Sequence, residues 1–164
     1  MTSAEPSPAA TSTPGSSSGH ATACDTALCA ALATEHAVIY GYGIVSAHSP
    51  PDVNALVASA MNQHRERRDQ VIAMLAARSV TGPVAAAGYQ LPMRVNNGTD
   101  AARLAVRMEK DTQVAWRAVI EQAQTSPDRG FGVTALTQSA VLAARWNRVL
   151  GAWPITTAFP GGNE

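Results

Sequence analysis

The sequence predicts an all-α protein: four helices in two antiparallel hairpins, with a long crossover joining the second helix to the third. Three observations carry this. Apolar residues recur at intervals of three and four from about Thr26 to Leu150, and clusters of β-branched residues are few. Proline, acid and hydroxyl residues punctuate the pattern where helices start, at Ser49-Pro50-Pro51-Asp52 and Ser126-Pro127-Asp128. Between the second and third periodic stretches, Gly82-Pro83, Gly88, Pro92 and Asn97-Gly98 read as extended chain ending in a turn.

Residues 1 to 24 are mostly Ser, Thr, Pro, Ala and Gly, with almost nothing to repay the entropy of ordering, so a disordered tail is expected there. Residues 25 to 162 form the helical domain. The first helix is expected from about Thr26 to Ala47, capped by Asp25 or Thr26, and the second from the Pro-Pro-Asp turn to about Arg78. The short turn between them makes the two antiparallel neighbours. Residues 79 to 98 form the connection, which is long for a small domain. Thr99 or Asp100 caps a third helix lasting to about Gln124, and the fourth runs from the Ser126 turn to Leu150, before Gly151. In the tail that follows, Trp153 and Phe159 are expected to staple the chain back onto the helices.

Twelve basic residues balance twelve acidic ones, which argues against a chain built to neutralise nucleic acid or an anionic membrane. Eleven of the twelve basic residues are arginine, a bias of the kind a GC-rich bacterial genome tends to encode. The start of the chain lacks the cationic and apolar regions of a signal peptide, so the cytoplasm is the expected location. Cys24 and Cys29 are too few for a four-thiolate site, and both are expected to be structural or incidental.

The charged residues inside the apolar runs matter more. Leu28, Leu32, Glu35, Ile39 and Tyr42 follow one helical stripe, which turns Glu35 inward, and a buried carboxylate needs a partner. On the second helix, Met61, His64, Arg68, Val71 and Leu75 share a stripe, so His64 and Arg68 face inward. The third helix allows two readings. Glu109 lies on a line with Val106, Gln113, Trp116 and Ile120, whereas a stripe of Leu104, Met108, Ala115 and Val119 turns Asp111 inward instead. The fourth helix, with its apolar line at Val133, Leu136, Ala140 and Ala144, has no Glu or His. The polar side chains long enough to matter near that line are Gln138, Arg145 and Asn147.

Six segments, EHAVIYGYG, HRERRDQ, GYQLP, RMEKDTQVAW, AVLAARW and AFPGG, together resemble an uncharacterised ferritin-like domain family of bacterial proteins, from Thr26 to Gly162. The resemblance implies a ferritin-like four-helix bundle and no particular reaction. Di-iron members of that superfamily hold their metals with a glutamate from each of two helices and a Glu-x-x-His pair from each of the other two. Here Met61 stands where a glutamate should precede His64, and the fourth helix supplies nothing. No cofactor is therefore expected. If a metal is held, it is iron or manganese on Glu35, His64 and Glu109 with water completing the shell.

The favoured reading is a buried network of Glu35, His64, Arg68, Glu109 and Tyr42. One or more of Arg67, Arg68, Arg107 and Arg145 takes the place of a metal, since arginine stays charged when buried and matches a carboxylate bidentately. The tyrosine phenols would bond Glu109 or His64, and Gly41 and Gly43 would let a neighbouring helix approach. Trp116 and Trp146 are expected in the core. Arg65 and Asp69, four apart, are expected to neutralise their own face. His36, Tyr40 and Arg65 could line a homodimer face. The chain thus reads as a module for a small molecule or a protein partner, without nucleic acid or membrane, and whether it is an enzyme stays open.

Overall fold

The computed structural model describes residues 22–162. Among them are four long α-helices and no strand: α1 (Ala23–His48), α2 (Asn54–Ala77), α3 (Gly98–Gln122) and α4 (Ser126–Leu150). The expected tail falls almost wholly outside the described residues.

The fourth helix starts at Ser126 as expected, whereas the first three start a few residues away from where composition suggests. Thr22 caps α1 in a capping box whose return bond comes from Asp25, which is therefore the third helical residue and not the cap. Pro51–Val53 forms a 3-10 turn, so the α-helical geometry of α2 begins only at Asn54. Asn97, not Thr99 or Asp100, caps α3, and Thr125 caps α4 by accepting from the Asp128 amide. Gly151 closes α4 with φ of 63°, a left-handed stop that glycine adopts without steric cost.

Helix α1 packs on α2 and α3, and α3 packs on α4. The apolar core is split in two. One cluster holds Val38, Tyr42, Val45, Val57, Leu104 and Trp146; the other holds Leu28, Leu32, Val71, Leu75, Trp116 and Val119. The connection after α2 starts beside the second cluster, at Val80, and reaches the first, at Leu91, Met93 and Val95. On the way it covers one face of α1: His36 Nε2 lies 3.2 Å from the Pro83 carbonyl, and the Tyr40 and Tyr89 rings meet with centroids 5.5 Å apart. His36 and Tyr40, which with Arg65 could line a homodimer face, make these contacts within the chain, and Tyr40 stays 40% exposed.

By length and composition α1 is apolar enough to cross a membrane, yet it places residues in both core clusters. Its Gly41 backbone approaches α3 so closely that a Cβ would stand 2.2 Å from Met108 Sδ, whereas Gly43 has nothing within 4 Å. The inward face of α4 is one residue out of step with the expected line. Gly132, Ala135, Ser139, Leu142 and Trp146 are buried, and Val133 and Val141 are on the outside. Small residues let α4 come close, and a Cβ on Gly132 would meet Ile120 at 2.8 Å. Ranking residues by apolarity alone therefore misplaced the contact. The C-terminal tail is not stapled by its aromatics, since Trp153 is 87% and Phe159 68% exposed. It is held by the Asn147 amide donating to the Ile155 carbonyl at 2.8 Å and by Gly161 packed on the α3 backbone.

Candidate functional site

The two apolar clusters are separated by a polar layer drawn from all four helices. Glu35 comes from α1 between Leu32 and Val38, and His64 and Arg67 from α2 between Ala60 and Val71. Glu109 and Thr112 come from α3, between Leu104 and Trp116, and Ser139 from α4 between Ala135 and Leu142. All are buried. His64 is the hub: its Nδ1 lies 2.6 Å from Glu35 Oε2 and its Nε2 3.0 Å from Glu109 Oε1. With a carboxylate on each ring nitrogen, both nitrogens donate when the imidazole is protonated.

The outer ring completes the layer. Trp116 Nε1 donates to Glu35 Oε1 at 2.8 Å, and the Tyr42 hydroxyl donates to Glu109 Oε1 at 2.6 Å. The Trp146 indole in turn donates to the Tyr42 oxygen at 2.9 Å. Arg67 Nη1 donates to the Ala135 carbonyl at 2.8 Å and to Ser139 Oγ at 2.7 Å, which ties α2 to α4. Its Nε stands 3.4 Å from Glu35 Oε1, an ion pair whose geometry falls short of a hydrogen bond. Two carboxylates, a protonated imidazole and a guanidinium sum to zero charge, which is how a buried set of ions avoids the desolvation cost of an unpaired one.

The balance is imperfect in two further places. Arg67 Nη2 lies 2.8 Å from His64 Nδ1, so two donors face each other when the ring is protonated, and Glu109 Oε2 has no partner among the described residues. Burial pushes the His64 pKa down, but its hydrogen bonds to Glu109 and Glu35 outweigh this, and the net shift is upward from 6.5. The Tyr42 phenol is pushed well above its usual range by burial and then by the neighbouring Glu109 charge, so it stays protonated and donates.

Four of the five expected network residues, Glu35, His64, Glu109 and Tyr42, are thus brought together. Arg68 is not: its Nε pairs with Asp69 at 2.8 Å on the surface, and Arg67 takes the interior place. From His64, three residues on is −60° round the helix and four is +40°, so either arginine fits the same stripe. Asp69 is consequently neutralised by Arg68 and not by Arg65. The alternative inward residue of α3, Asp111, is exposed and paired with Arg107 at 3.0 Å. Trp116, Trp146 and Ser139 were missed as network members. The indoles read as core, which they are, and nothing in the periodicity marks their N–H groups as donors to it.

A second ionic cluster lies where three helix ends meet. Arg78, closing α2, donates to Asp25 Oδ1 at 3.1 Å and also bonds Asp128, the first-turn acids of α1 and α4. Its Nη1 also approaches the Cys24 thiol at 3.6 Å. The Asp25 carboxyl is held below 3.8 by its hydrogen bond from Thr22 and, less strongly, by Arg78.

Residues 27–164 match the family described as Domain of unknown function (DUF4439). The chain belongs to this family. A solved structure similar to this DUF4439 chain is the crystal structure of a conserved hypothetical protein from Mycobacterium tuberculosis. It is 71% identical, the match covers 84% of this chain and 97% of that one, and the TM-score is 0.78. No curated protein matches the chain.

Proposed function

We propose that this DUF4439 chain is a ferritin-like four-helix bundle whose interior is closed by its own charges instead of a metal, and that it acts as a binding or oligomeric module. The arrangement we infer has antiparallel hairpins and a long crossover. It is supported by Arg78 at the end of α2 reaching the starts of α1 and α4, and by Gly98 at the start of α3 lying against His48 and Pro50 at the opposite end of the molecule. The observation that carries the closed interior is the Arg67 guanidinium, 2.8 Å from His64 and 3.4 Å from Glu35, a permanent cation among the three side chains that would ligate a metal. Both His64 nitrogens already bridge carboxylates, so neither offers a free lone pair.

The test is metal content per chain after anaerobic loading with Fe(II), Mn(II) and Zn(II) and desalting, for the parent and Glu35→Ala. Background levels in both are expected. Near-unit stoichiometry lost in the mutant would overturn the closed interior and favour a second reading, a degenerate metal-binding protein using Glu35, His64 and Glu109. The unpartnered Glu109 Oε2 is the observation on the side of that reading.

A further inference from the structure

Outside the polar layer, a groove of about 810 Å³ runs between α3, α4 and the C-terminal tail. This is the size range of small-molecule sites. Its floor is the Ala140, Val141 and Ala144 face of α4, and its outer wall is Trp153, Pro154 and Ile155. The wall is fixed in place by the Asn147 bond to the Ile155 carbonyl.

Two features say what would fill it. Every charged residue lining the groove is a cation, namely Lys110, Arg145 and Arg148, and none of them has an ion-pair partner among the described residues. The contrast with Arg68, Arg103, Arg107 and Arg117, each paired with an acid on its own helix, is direct. In addition, Gln113 on α3 is 4% exposed, lines the groove, and makes no side-chain hydrogen bond among the described residues. Its amide atoms are not among the fully buried polar atoms left without a partner, so they open onto the groove and can meet a ligand there.

We propose that the groove binds a small anionic amphiphile, its apolar body lying along Val141, Ile155 and Trp153, its acid group met by Arg145 and Arg148, and a polar atom reaching Gln113. This deepens the reading of the chain as a binding module and rests on it, but it is independent of whether the interior holds a metal.

The tryptophans provide a local readout. Trp116 and Trp146 are fully buried and Trp153 is 87% exposed, so a ligand covering the groove moves the emission of Trp153 alone. Dodecanoate below its micellar range, titrated into the full chain, should shift the emission to the blue and saturate. The shift should vanish in Trp153→Phe. In the double variant Arg145→Gln, Arg148→Gln the affinity should fall at least about tenfold, because hydrogen bonds between charged partners are lost, with helicity unchanged by circular dichroism.

Three outcomes overturn the proposal: no saturable shift, an equal response to dodecanol or in the double variant, or a Trp153 already shielded in the free protein together with a dimer by light scattering. The last would give the groove to a second copy of the chain. None of the three alters metal content, so this proposal and the closed interior fail separately.

Discussion

Two ionic clusters hold these helices together, and they are built on opposite terms. At the middle of the molecule Glu35, His64, Glu109 and Arg67 are fully or almost fully buried, balanced in charge and linked to four further side chains by short hydrogen bonds. At the end, Arg78 faces two nearly buried acids, Asp25 and Asp128, with its own side chain 28% exposed. The interior layer contributes little net stability compared with an apolar layer of the same shape, yet it tolerates no missing member. The edge cluster has one partly exposed member, Arg78, whose loss costs less than that of a fully buried charge. What the contrast teaches is that a buried network specifies an arrangement more than it stabilises it: Glu35, His64 and Glu109 meet only if α1, α2 and α3 are in one register.

The largest effect tests the interior. Arg67→Met leaves two carboxylates facing one imidazole and should cost about 3–5 kcal/mol, read as a lower urea midpoint. A cost like that of a surface pair would mean that water already reaches the layer. Arg78→Met should cost less, about 1–3 kcal/mol, since the guanidinium is partly hydrated but leaves two nearly buried acids without a partner, and raising the salt concentration should narrow the gap between parent and variant there more than at Arg67.

Gly43→Ala, at an open α1 position, should add up to about 1 kcal/mol through helix propensity. Gly41→Ala should forfeit that gain because Met108 must move. Thermal melts of the two separate propensity from packing.

The clusters should also respond to opposite ends of the pH scale. The folded pKa of His64 is raised, so its contribution is complete below 6.5 and is lost as pH rises through the folded value. His64→Gln should remove that alkaline decline. Asp25 has a lowered pKa, so its contribution is present above 3.8 and is lost as pH falls through the folded value, a smaller effect that Asp25→Asn should abolish.

Much of the interior was legible because periodicity is a local property. Leu28, Leu32 and Tyr42 around Glu35 leave one direction for the carboxylate, and Val71 and Leu75 do the same for His64. The choice between Arg67 and Arg68 was not legible, nor was the pairing of Arg78 with Asp25 and Asp128. A stripe does not distinguish spacings of three and four, and the acids lie 53 and 50 residues from Arg78. Ser139 stayed hidden for another reason: α4 packs by its small residues, and the larger valines turned outward drew the expected face to the wrong side.

By itself the sequence determined the helices, their punctuation and the presence of charge in the core, because capping, proline geometry and apolar spacing act within a few residues along the chain. Only the tertiary structure decided which arginine enters, which indoles donate, and that Lys110, Arg145, Arg148 and the Gln113 amide share a groove beneath the C-terminal tail. Those depend on helix rotation and close approach, which are set by the shapes of neighbours far away in sequence.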